Sequence, residues 1–499
     1  MEFNPEEIYK SFIDKKIDKA TLIDQLVSMI EVSTDLLKRI ASVHILSDLE
    51  IKNQKIFKLI ENLAISDSNK YVRLTALKYL KTNFKENALE PMKWAYKHEK
   101  SLRCLLVIVK SLGNINNQSS RDYLGSILKN ISNKIYKENI IQLLESENID
   151  NYQNYQLANI IKDYLTINYL EKKYGHIDYK LKAGRVSELD LSDISTHVFG
   201  WNAITKFPNY LVELQALISL DLKFNRLTSL PNIVGKLINL QSIDLSYNKI
   251  NSLPDSIGSF KMLRWLNLRY NQLKTLPDSI SSLQNLKRLD LRSNRLTSLP
   301  KSLNSLTHLE ELDLHGNNLV DAHLNLPSLK ELHFVELGLN NLIKIPHWVK
   351  KIKKLTKLGL GGNKIKYLPK WIGNFQFLED LHLYDNDIIT IPNSIGKLQN
   401  LVRLTLWNNQ LFSLPDSISQ LSKLKVLNLS WNKFTKLPEC IGELKSLEIL
   451  TLWGNKVERL PGSLAQLKSL KKLDLNFTKI KVVPDFLRQL EKEGLIIYK

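Results

Sequence analysis

The fold of this chain is decided by residues 240–285, which read LQSIDLSYNKINSLPDSIGSFKM and then LRWLNLRYNQLKTLPDSISSLQN. These are two copies of a 23-residue unit with the pattern L-x-x-L-x-L-x-x-N-x-L-x-x-L-P-x-x-I-x-x-L-x-x. The register holds without a slip in copies that begin at Leu217, Leu240, Leu263, Leu286, Leu309, Leu332, Leu355, Leu378, Leu401, Leu424, Leu447 and Leu470. A degenerate copy begins at Ile194, after a predicted capping strand with Val186, Leu189 and Leu191. A fixed period of this length predicts a solenoid of stacked units.

Each recurring letter of the unit has a physical role. The L-x-L segment predicts a short strand whose side chains alternate between core and surface. The chain turns after the strand, and a buried Asn side chain can donate and accept hydrogen bonds there. Proline fixes φ in the segment that follows. The proline is missing only at His323, with Pro327 displaced downstream, so we expect a local change of curvature in that copy.

This unit resembles the leucine-rich repeat family in its "LP" subtype of 23 residues. Within that subtype it is similar to the Ras-binding scaffold repeats of the Shoc2 type and to the plant intracellular Ras-group repeats. The resemblance covers residues from about 186 to 499. It implies a curved α/β solenoid with a parallel sheet on its concave face, and function through binding. The Ras-binding members imply a small GTPase or a signalling complex as the partner.

The first part of the chain, residues 1–165, has helical apolar spacing and few glycines. Three similar segments place an apolar helix after a polar cap and carry Arg39, Arg73 and Arg103. These segments resemble HEAT repeats, which are paired-helix solenoid units, and a plain helical bundle is the alternative. The predicted organisation is an all-α HEAT-like domain (1–165), a junction and cap (166–193), thirteen leucine-rich copies (194–492) and a C-terminal end (493–499).

The composition and charge of the chain narrow the class of protein to which it can belong. Charged residues make up 24% and hydrophobic residues 43% of the sequence, and no apolar run approaches the length of about 18 that a membrane span needs. The net charge is +19, and +15 of it lies in residues 181–499. Only two cysteines occur, Cys104 and Cys440, which favours a reducing, cytoplasmic location over a disulfide framework.

The sequence contains none of the phosphate-binding, dinucleotide-binding, metalloprotease or serine-hydrolase motifs. The densest group of chemistry-bearing residues comprises His308, His315, His323 and His333, with Glu311, Asp313 and Glu336 on neighbouring predicted strands. A metal or acid–base site would use His315 with Glu336, whereas the alternative is a set of surface histidines in an irregular repeat. We favour the second interpretation and predict no catalytic residues, no metal, no cofactor and no small-molecule substrate.

Outward positions of successive strands stack into columns about 4.8 Å apart, which maps the predicted concave face. Early copies combine aromatic and basic residues: Tyr247, Trp265, Arg269, Tyr270, Arg288 and Arg292. Middle copies are nearly bare at Gly316, Gly338, Gly359, Gly361 and Gly362. Late copies carry Tyr384, Trp407, Trp431, Trp453 and Phe477. Trp, Tyr and Arg dominate binding hot spots, so both groups are predicted to bind a protein partner, the alternative being that they pack only on each other. Trp348 and Trp371 follow the proline and are predicted to be structural.

Basic residues follow the recurring Asn, or Thr478 in its place in the last copy, in seven copies: Arg226, Lys249, Arg295, Lys364, Lys433, Lys456 and Lys479. Lys350, Lys351, Lys353, Lys354 and Lys357 form a second cluster on the predicted convex side. Basic charge beside aromatic residues keeps nucleic-acid or anionic-membrane binding open as a second class. The acidic column that starts at Asp221 and Asp244 on the predicted concave face counts against it. An adaptor for an effector-type enzyme is a third, minor class.

Overall fold

The computed structural model describes residues 4–132, 152–194, 203–320 and 329–499. The chain forms two compact units, Met1–Glu188 and Leu189–Lys499. The described helices of the first unit are α1 (Pro5–Ile13), α2 (Lys19–Val32), α3 (Leu36–Asp48), α4 (Gln54–Ser66), α5 (Lys70–Asn83), α6 (Leu89–His98), α7 (Leu102–Asn114), α8 (Gln118–Ser132) and α9 (Asn154–Tyr174). Two strands follow, β1 (Asp178–Lys182) and β2 (Arg185–Asp190).

The helices pack as consecutive pairs, α2 with α3, α4 with α5 and α6 with α7. The second members of these pairs also pack in series, α3 on α5, α5 on α7 and α7 on α9. Arginines of the second helices reach the next pair: the Arg39 guanidinium lies 2.5 Å from Asp67, and Arg73 lies 2.8 Å from Glu99. This is the arrangement of stacked helical repeats. Assignment of these repeats to the HEAT type stays a prediction.

Helix α9 continues beyond residue 165, where the sequence placed the end of the helical domain. The reason is that α9 carries buried residues as far as Tyr174 and packs against α7 and α8. Asp163 lies on this helix with no exposed side-chain surface, and it accepts hydrogen bonds from Arg185 Nε (2.6 Å) and the Val186 N–H (3.0 Å). The buried carboxylate therefore joins α9 to the strand that the sequence predicted from Val186 and Leu189.

The second unit is a stack of short parallel strands that are spaced 23 residues apart from β3 to β14, with β15 24 residues after β14. The strands are β3 (Ser219–Asp221), β4 (Ser242–Asp244), β5 (Trp265–Asn267), β6 (Arg288–Asp290), β7 (Glu311–Asp313), β8 (Phe334–Glu336), β9 (Lys357–Gly359), β10 (Asp380–His382), β11 (Arg403–Thr405), β12 (Val426–Asn428), β13 (Ile449–Thr451), β14 (Lys472–Asp474) and β15 (Ile496–Tyr498). Equivalent residues of neighbouring copies pair in register, as Leu404 does with Leu427. The parallel repeat solenoid predicted from the period is confirmed.

Eleven short 3-10 helices return the chain along the other side of the described repeats, and a proline directly precedes each of them. They span Asn209–Glu213, Asn232–Lys236, Asp255–Ser259, Asp278–Ser282, Lys301–Ser305, His347–Lys351, Lys370–Asn374, Asn393–Lys397, Asp416–Gln420, Glu439–Glu443 and Gly462–Gln466. Trp348 is 1% exposed within one of them, so its predicted structural role fits its position. Trp371 packs edge-on against Phe375 with ring centroids 5.9 Å apart.

The recurring asparagines form a buried column, here called the asparagine ladder. Its described members are Asn225, Asn248, Asn271, Asn294, Asn317, Asn340, Asn363, Asn386, Asn409, Asn432 and Asn455, and all are buried. Asn248 shows the recurring geometry: its Nδ2 donates to the carbonyls of Leu222 (2.9 Å) and Leu245 (3.1 Å), and its Oδ1 accepts from the Leu227 N–H (2.9 Å). The ladder therefore provides hydrogen-bond partners for backbone groups of two consecutive turns, as the sequence predicted.

The C-terminal end of the solenoid departs from the repeat. An α-helix, α10 (Asp485–Lys492), replaces the 3-10 helix, and β15 then extends the sheet beside β14. No helix in the described ranges has both the length and the apolar composition required to cross a bilayer. Two irregular features predicted from the sequence, the degenerate copy after Ile194 and the turn around His323, involve residues 195–202 and 321–328, which lie outside the described residues.

Candidate partner-binding surface

The side chains that alternate with the core leucines define the sheet face of the solenoid. In the copy that contains β6 these are Arg288, Asp290 and Arg292, whereas Leu289 and Leu291 are buried. Parallel in-register pairing places the equivalent residues of the next copy beside them. Most residues of the two predicted binding groups lie in these columns or in the position that follows them. The sheet therefore brings each group together across neighbouring copies.

The residue before each ladder asparagine, and before Thr478 at the equivalent position of the last copy, adopts a left-handed backbone conformation in every described regular copy. These residues are Phe224, Tyr247, Tyr270, Ser293, Gly316, Leu339, Gly362, Asp385, Asn408, Trp431, Gly454 and Phe477, with φ between 47° and 73°. The conformation costs about 1 kcal/mol for a residue other than glycine. It is held because the amide of this residue donates to the next copy, as the Tyr247 N–H does to the Arg269 carbonyl at 2.9 Å. This conformation was not predicted from the sequence, although three glycines in the column were a usable signal.

The late aromatic residues form two contact groups. Tyr384 and Trp407 stack with ring centroids 5.0 Å apart and an interplanar angle of 2°. Trp453 contacts both Trp431 at 5.4 Å and Phe477 at 6.2 Å. Trp431, Trp453 and Phe477 are 49%, 39% and 79% exposed. Mutual packing thus leaves a large part of these rings uncovered.

The early group is organised around a stack of rings in the left-handed column. Phe224 stacks on Tyr247 at 4.3 Å and Tyr247 stacks on Tyr270 at 4.4 Å, which is close to the spacing of the strands. The Arg269 guanidinium lies 5.2 Å from the Tyr247 ring centroid, within the range of a cation–π contact. Phe224 was not among the predicted site residues, yet it begins this stack and is 44% exposed. Trp265, the first residue of β5, lies half-buried on the neighbouring part of the sheet face.

The other two early arginines are engaged by acidic residues of the next copy. Arg288 lies 2.5 Å from Glu311, and Arg292 pairs with Asp313. Carboxylates of the acidic column also accept hydrogen bonds from the backbone, as Asp290 does from the Arg292 N–H at 3.0 Å. Burial raises the pKa of Asp290, and the nearby Asp313 carboxylate adds to that effect. Arg292 therefore neutralises Asp313 of the acidic column, and both arginines are less available to a partner than the sequence indicated.

The prediction that the middle copies are bare is wrong, because side chains from neighbouring copies cover the glycines. A Cβ atom on Gly361 would lie 2.5 Å from Cε1 and Cε2 of Tyr384, so that ring lies flat on the glycine backbone. A Cβ atom on Gly359 would overlap the carboxylate of Glu336, and one on Gly338 would lie 2.7 Å from His315 Nδ1. The glycines therefore make room for larger neighbours.

Comparison with known proteins identifies the family. The model of the leucine-rich repeat region matches residues 255–359, 344–428 and 415–492, and a second leucine-rich repeat model matches 215–273. A leucine-rich repeat protein of Leptospira interrogans is similar at 34% identity over 60% of this chain and 82% of that chain, with a TM-score of 0.53. The chain belongs to the leucine-rich repeat family. An internalin of Listeria monocytogenes shares the fold at 21% identity over 64% of this chain and 91% of that chain, with a TM-score of 0.54.

A third structure similar to this leucine-rich repeat protein is the complex of PEPR1 with AtPEP1. It matches at 25% identity and a TM-score of 0.53, over 68% of this chain and 54% of that chain. A search of curated proteins gives no match. Leucine-rich repeats are in general protein-interaction modules, and nothing in these comparisons indicates catalysis.

The candidate acid–base pair of this leucine-rich repeat protein lies on the sheet face beside the glycines. His315 Nδ1 is 3.8 Å from Glu336 Oε1, and the Gly338 N–H donates to the same oxygen at 2.9 Å. Burial opposes ionisation of Glu336, but the nearby His315 ring and the Gly338 N–H prevail and hold its pKa below the usual value. Among the described residues, no three His, Cys, Asp or Glu side chains are grouped so that they could hold a metal ion.

Proposed function

We propose that this leucine-rich repeat protein is a non-catalytic scaffold that binds a partner protein on its sheet face, the concave face of the predicted solenoid. The observation that supports this proposal is the pair of late aromatic groups, Tyr384 with Trp407 and Trp431 with Trp453 and Phe477. Their rings contact one another, yet three of them remain 39% to 79% exposed. Exposed aromatic clusters of this kind are typical of interaction sites on soluble repeat surfaces.

The surroundings of the late aromatic groups favour a protein partner. The sheet positions between them carry Thr405, Asn428, Ser430 and Thr451, which are uncharged. A partner that covers these positions therefore desolvates few charges, which is the composition expected at the centre of a protein interface. The early group extends the same face and would contribute through Phe224 and its stacked neighbours.

The test compares the full chain with the variant Trp407→Ala and Trp453→Ala, which removes one ring from each late group. Each is immobilised, and the proteins it captures from a lysate are identified by mass spectrometry. The affinity of a captured partner is expected to fall about 30-fold or more for each ring, since a central aromatic contributes about 2 kcal/mol. The thermal midpoint should change little because both rings lie outside the core.

The control is Phe377→Ala, which removes an exposed ring (56%) elsewhere on the solenoid. A partner that binds the wild type and the control equally and the double variant weakly would support the proposal. Capture of the same proteins at the same affinity by all three would refute it. A collapsed melting temperature in the double variant would show that the rings serve folding instead.

We propose a small GTPase as the partner class, which rests on the resemblance of the 23-residue unit to Ras-binding scaffold repeats. Purified small GTPases loaded with GDP or with a non-hydrolysable GTP analogue provide the direct test. Binding to the triphosphate form alone would support this class. Failure of every GTPase, with another protein captured on the aromatic groups, would refute the class while leaving the scaffold function intact.

We also propose that the protein works in the cytoplasm. Cys104 and Cys440 are both free thiols, and burial raises the pKa of Cys104 to about 11, so this thiol is unreactive at neutral pH. Fractionation of the source cells with an antibody against the chain would test the location. Recovery of the protein only from the extracellular medium would refute it.

A further inference from the structure

The turn that follows each ladder asparagine forms a side of the solenoid distinct from the sheet face, here called the descending flank. It consists of the residues one, three and four positions after each asparagine, or after Thr478 in the last copy, such as Lys364, Lys366 and Tyr367 after Asn363. Backbone bonds join the flank of one copy to that of the next, as the Ile389 N–H does to the Lys366 carbonyl at 3.2 Å. Equivalent side chains therefore repeat along the flank about every 4.8 Å.

The descending flank is strongly basic. In the regular copies it carries thirteen basic residues, all exposed: Arg226, Lys249, Lys274, Arg295, Lys344, Lys364, Lys366, Lys433, Lys436, Lys456, Arg459, Lys479 and Lys481. The acidic residues in these positions of the sequence are Asp321, Asp387 and Glu458. Glu458 pairs with Lys479 at 3.0 Å. The flank therefore holds most of the excess positive charge of the solenoid.

The side of each copy just before its strand has a different charge pattern. There, lysines meet carboxylates of the adjoining copy, as Lys287 does Glu310 at 2.6 Å and Lys354 does Glu331 at 2.6 Å. Glu448 pairs with both Lys425 (3.0 Å) and Lys471 (2.7 Å). These lysines meet carboxylates at the equivalent positions of adjoining copies, whereas the positions of the descending flank carry thirteen basic and three acidic residues.

An apolar stripe runs through the middle of the descending flank. It consists of Val320, Ile343, Ile389 and Phe412, each three positions after its asparagine, and of Tyr367, which lies four positions after Asn363 and pairs with Thr390 of the next copy. Lys366 occupies the third position in the copy that contains Tyr367. Four of these side chains are 55% to 63% exposed, although they are aliphatic or aromatic. Four copy spacings give the stripe a length of about 19 Å. Exposed apolar residues grouped on one flank, with charged residues beside them, indicate an interaction surface.

We propose that the descending flank docks on an anionic phospholipid surface. In this arrangement the apolar stripe enters the boundary between headgroups and acyl chains, and the flanking lysines and arginines meet lipid phosphates and carboxylates. The exposed aliphatic side chains Val320 and Ile343 favour lipid over nucleic acid, because they offer no ring for base stacking. The sheet face uses different residues of each copy, so a membrane-bound molecule could still bind its protein partner.

The test measures cosedimentation of the full chain with vesicles of phosphatidylserine and phosphatidylcholine, and with vesicles of phosphatidylcholine alone. The charge variant is Lys364→Gln, Lys366→Gln, Lys433→Gln and Lys436→Gln. Each cation near an anionic surface contributes about five-fold to partitioning, so this variant should bind at least about 100-fold more weakly. Binding should also weaken with salt and be absent on phosphatidylcholine alone.

The matched control removes the same number of charges from the 3-10 helices, outside the positions that define the descending flank, through Lys301→Gln, Lys350→Gln, Lys370→Gln and Lys397→Gln. All four lysines are exposed, and binding of this control to the anionic vesicles should stay within about five-fold of the wild type. Equal losses in both variants would show that net charge, and not the flank, drives binding, and would overturn the proposal.

The stripe variant, Ile343→Ser, Tyr367→Ser and Phe412→Ser, separates lipid from nucleic acid because it changes no charge. Its control is Ile238→Ser with Phe377→Ser, which replaces equally exposed apolar residues (54% and 56%) away from the flank. Vesicle binding should fall about ten-fold or more in the stripe variant only. Unchanged vesicle binding, or tighter binding of a single-stranded oligonucleotide that is insensitive to the stripe, would overturn the proposal.

Discussion

The asparagine ladder can be tested at adjacent residues of one copy, Asn317 and Asn318. Asn317 is buried; its Nδ2 donates to the carbonyls of Leu291 and Leu314, both at 3.0 Å, and its Oδ1 accepts from the Leu296 N–H at 3.0 Å. The Asn318 side chain is exposed. We therefore expect Asn317→Ala to destabilise the solenoid strongly and Asn318→Ala to have almost no effect.

The size of the effect follows from the groups left without a partner. Asn317→Ala leaves one buried N–H and two buried carbonyls without a hydrogen-bond partner. Each unsatisfied group costs about 1 to 3 kcal/mol of stability. The expected loss is thus at least about 3 kcal/mol, which lowers the melting temperature by about 6 °C or more at about 2 °C per kcal/mol. Asn318→Ala should stay within about 0.5 kcal/mol of the wild type.

Two assays on the full chain measure this difference. Circular dichroism gives the melting temperature of both variants, and hydrogen exchange reports the Leu296 amide, which should lose protection only in Asn317→Ala. The reasoning is refuted if the two variants melt together, or if the Leu296 amide stays protected without its acceptor. Either result would mean that relaxation of the turn supplies the missing hydrogen bonds.

Three further predictions concern the helical unit and the sheet face. Burial raises the pKa of Glu99, but Arg73 overcomes this effect and holds that pKa below its usual value of 4.5. The pair should therefore stabilise the helical unit above pH 4.5 and lose this effect as the pH falls further. Arg73→Met should abolish the acid sensitivity in urea titrations and cost about 3 kcal/mol of stability at neutral pH. Gly361→Ala should push the ring of Tyr384 away from the glycine and weaken the near-ultraviolet circular dichroism of the stack of Tyr384 on Trp407. An unchanged spectrum would contradict the contact between Gly361 and Tyr384. The buried Cys104 thiol should resist alkylation until the protein unfolds, and labelling of the native protein at this residue would contradict its burial.

The sequence by itself determined the solenoid, its register and the ladder. A 23-residue period fixes these features because each copy repeats the same local hydrogen bonds and packs on copies of itself. The positions of Asn248 and Asn317 within their turns therefore followed from spacing alone. The stacked helical repeats were also predictable, since the spacing of Arg39 and Arg73 reflects paired helices whose arginines reach acidic residues of the next pair.

Only the tertiary structure decided which side chains of neighbouring copies contact one another on the sheet face. Tyr384 covers Gly361 and stacks on Trp407, and both contacts depend on rotamers chosen between copies rather than on spacing. The left-handed residues escaped prediction because hydrogen bonds to the next copy hold Phe224 and Trp431 in a conformation that local preference disfavours. The sequence placed residues in columns, whereas burial, ring contacts and ion pairs across copies decided which of them remain available to a partner.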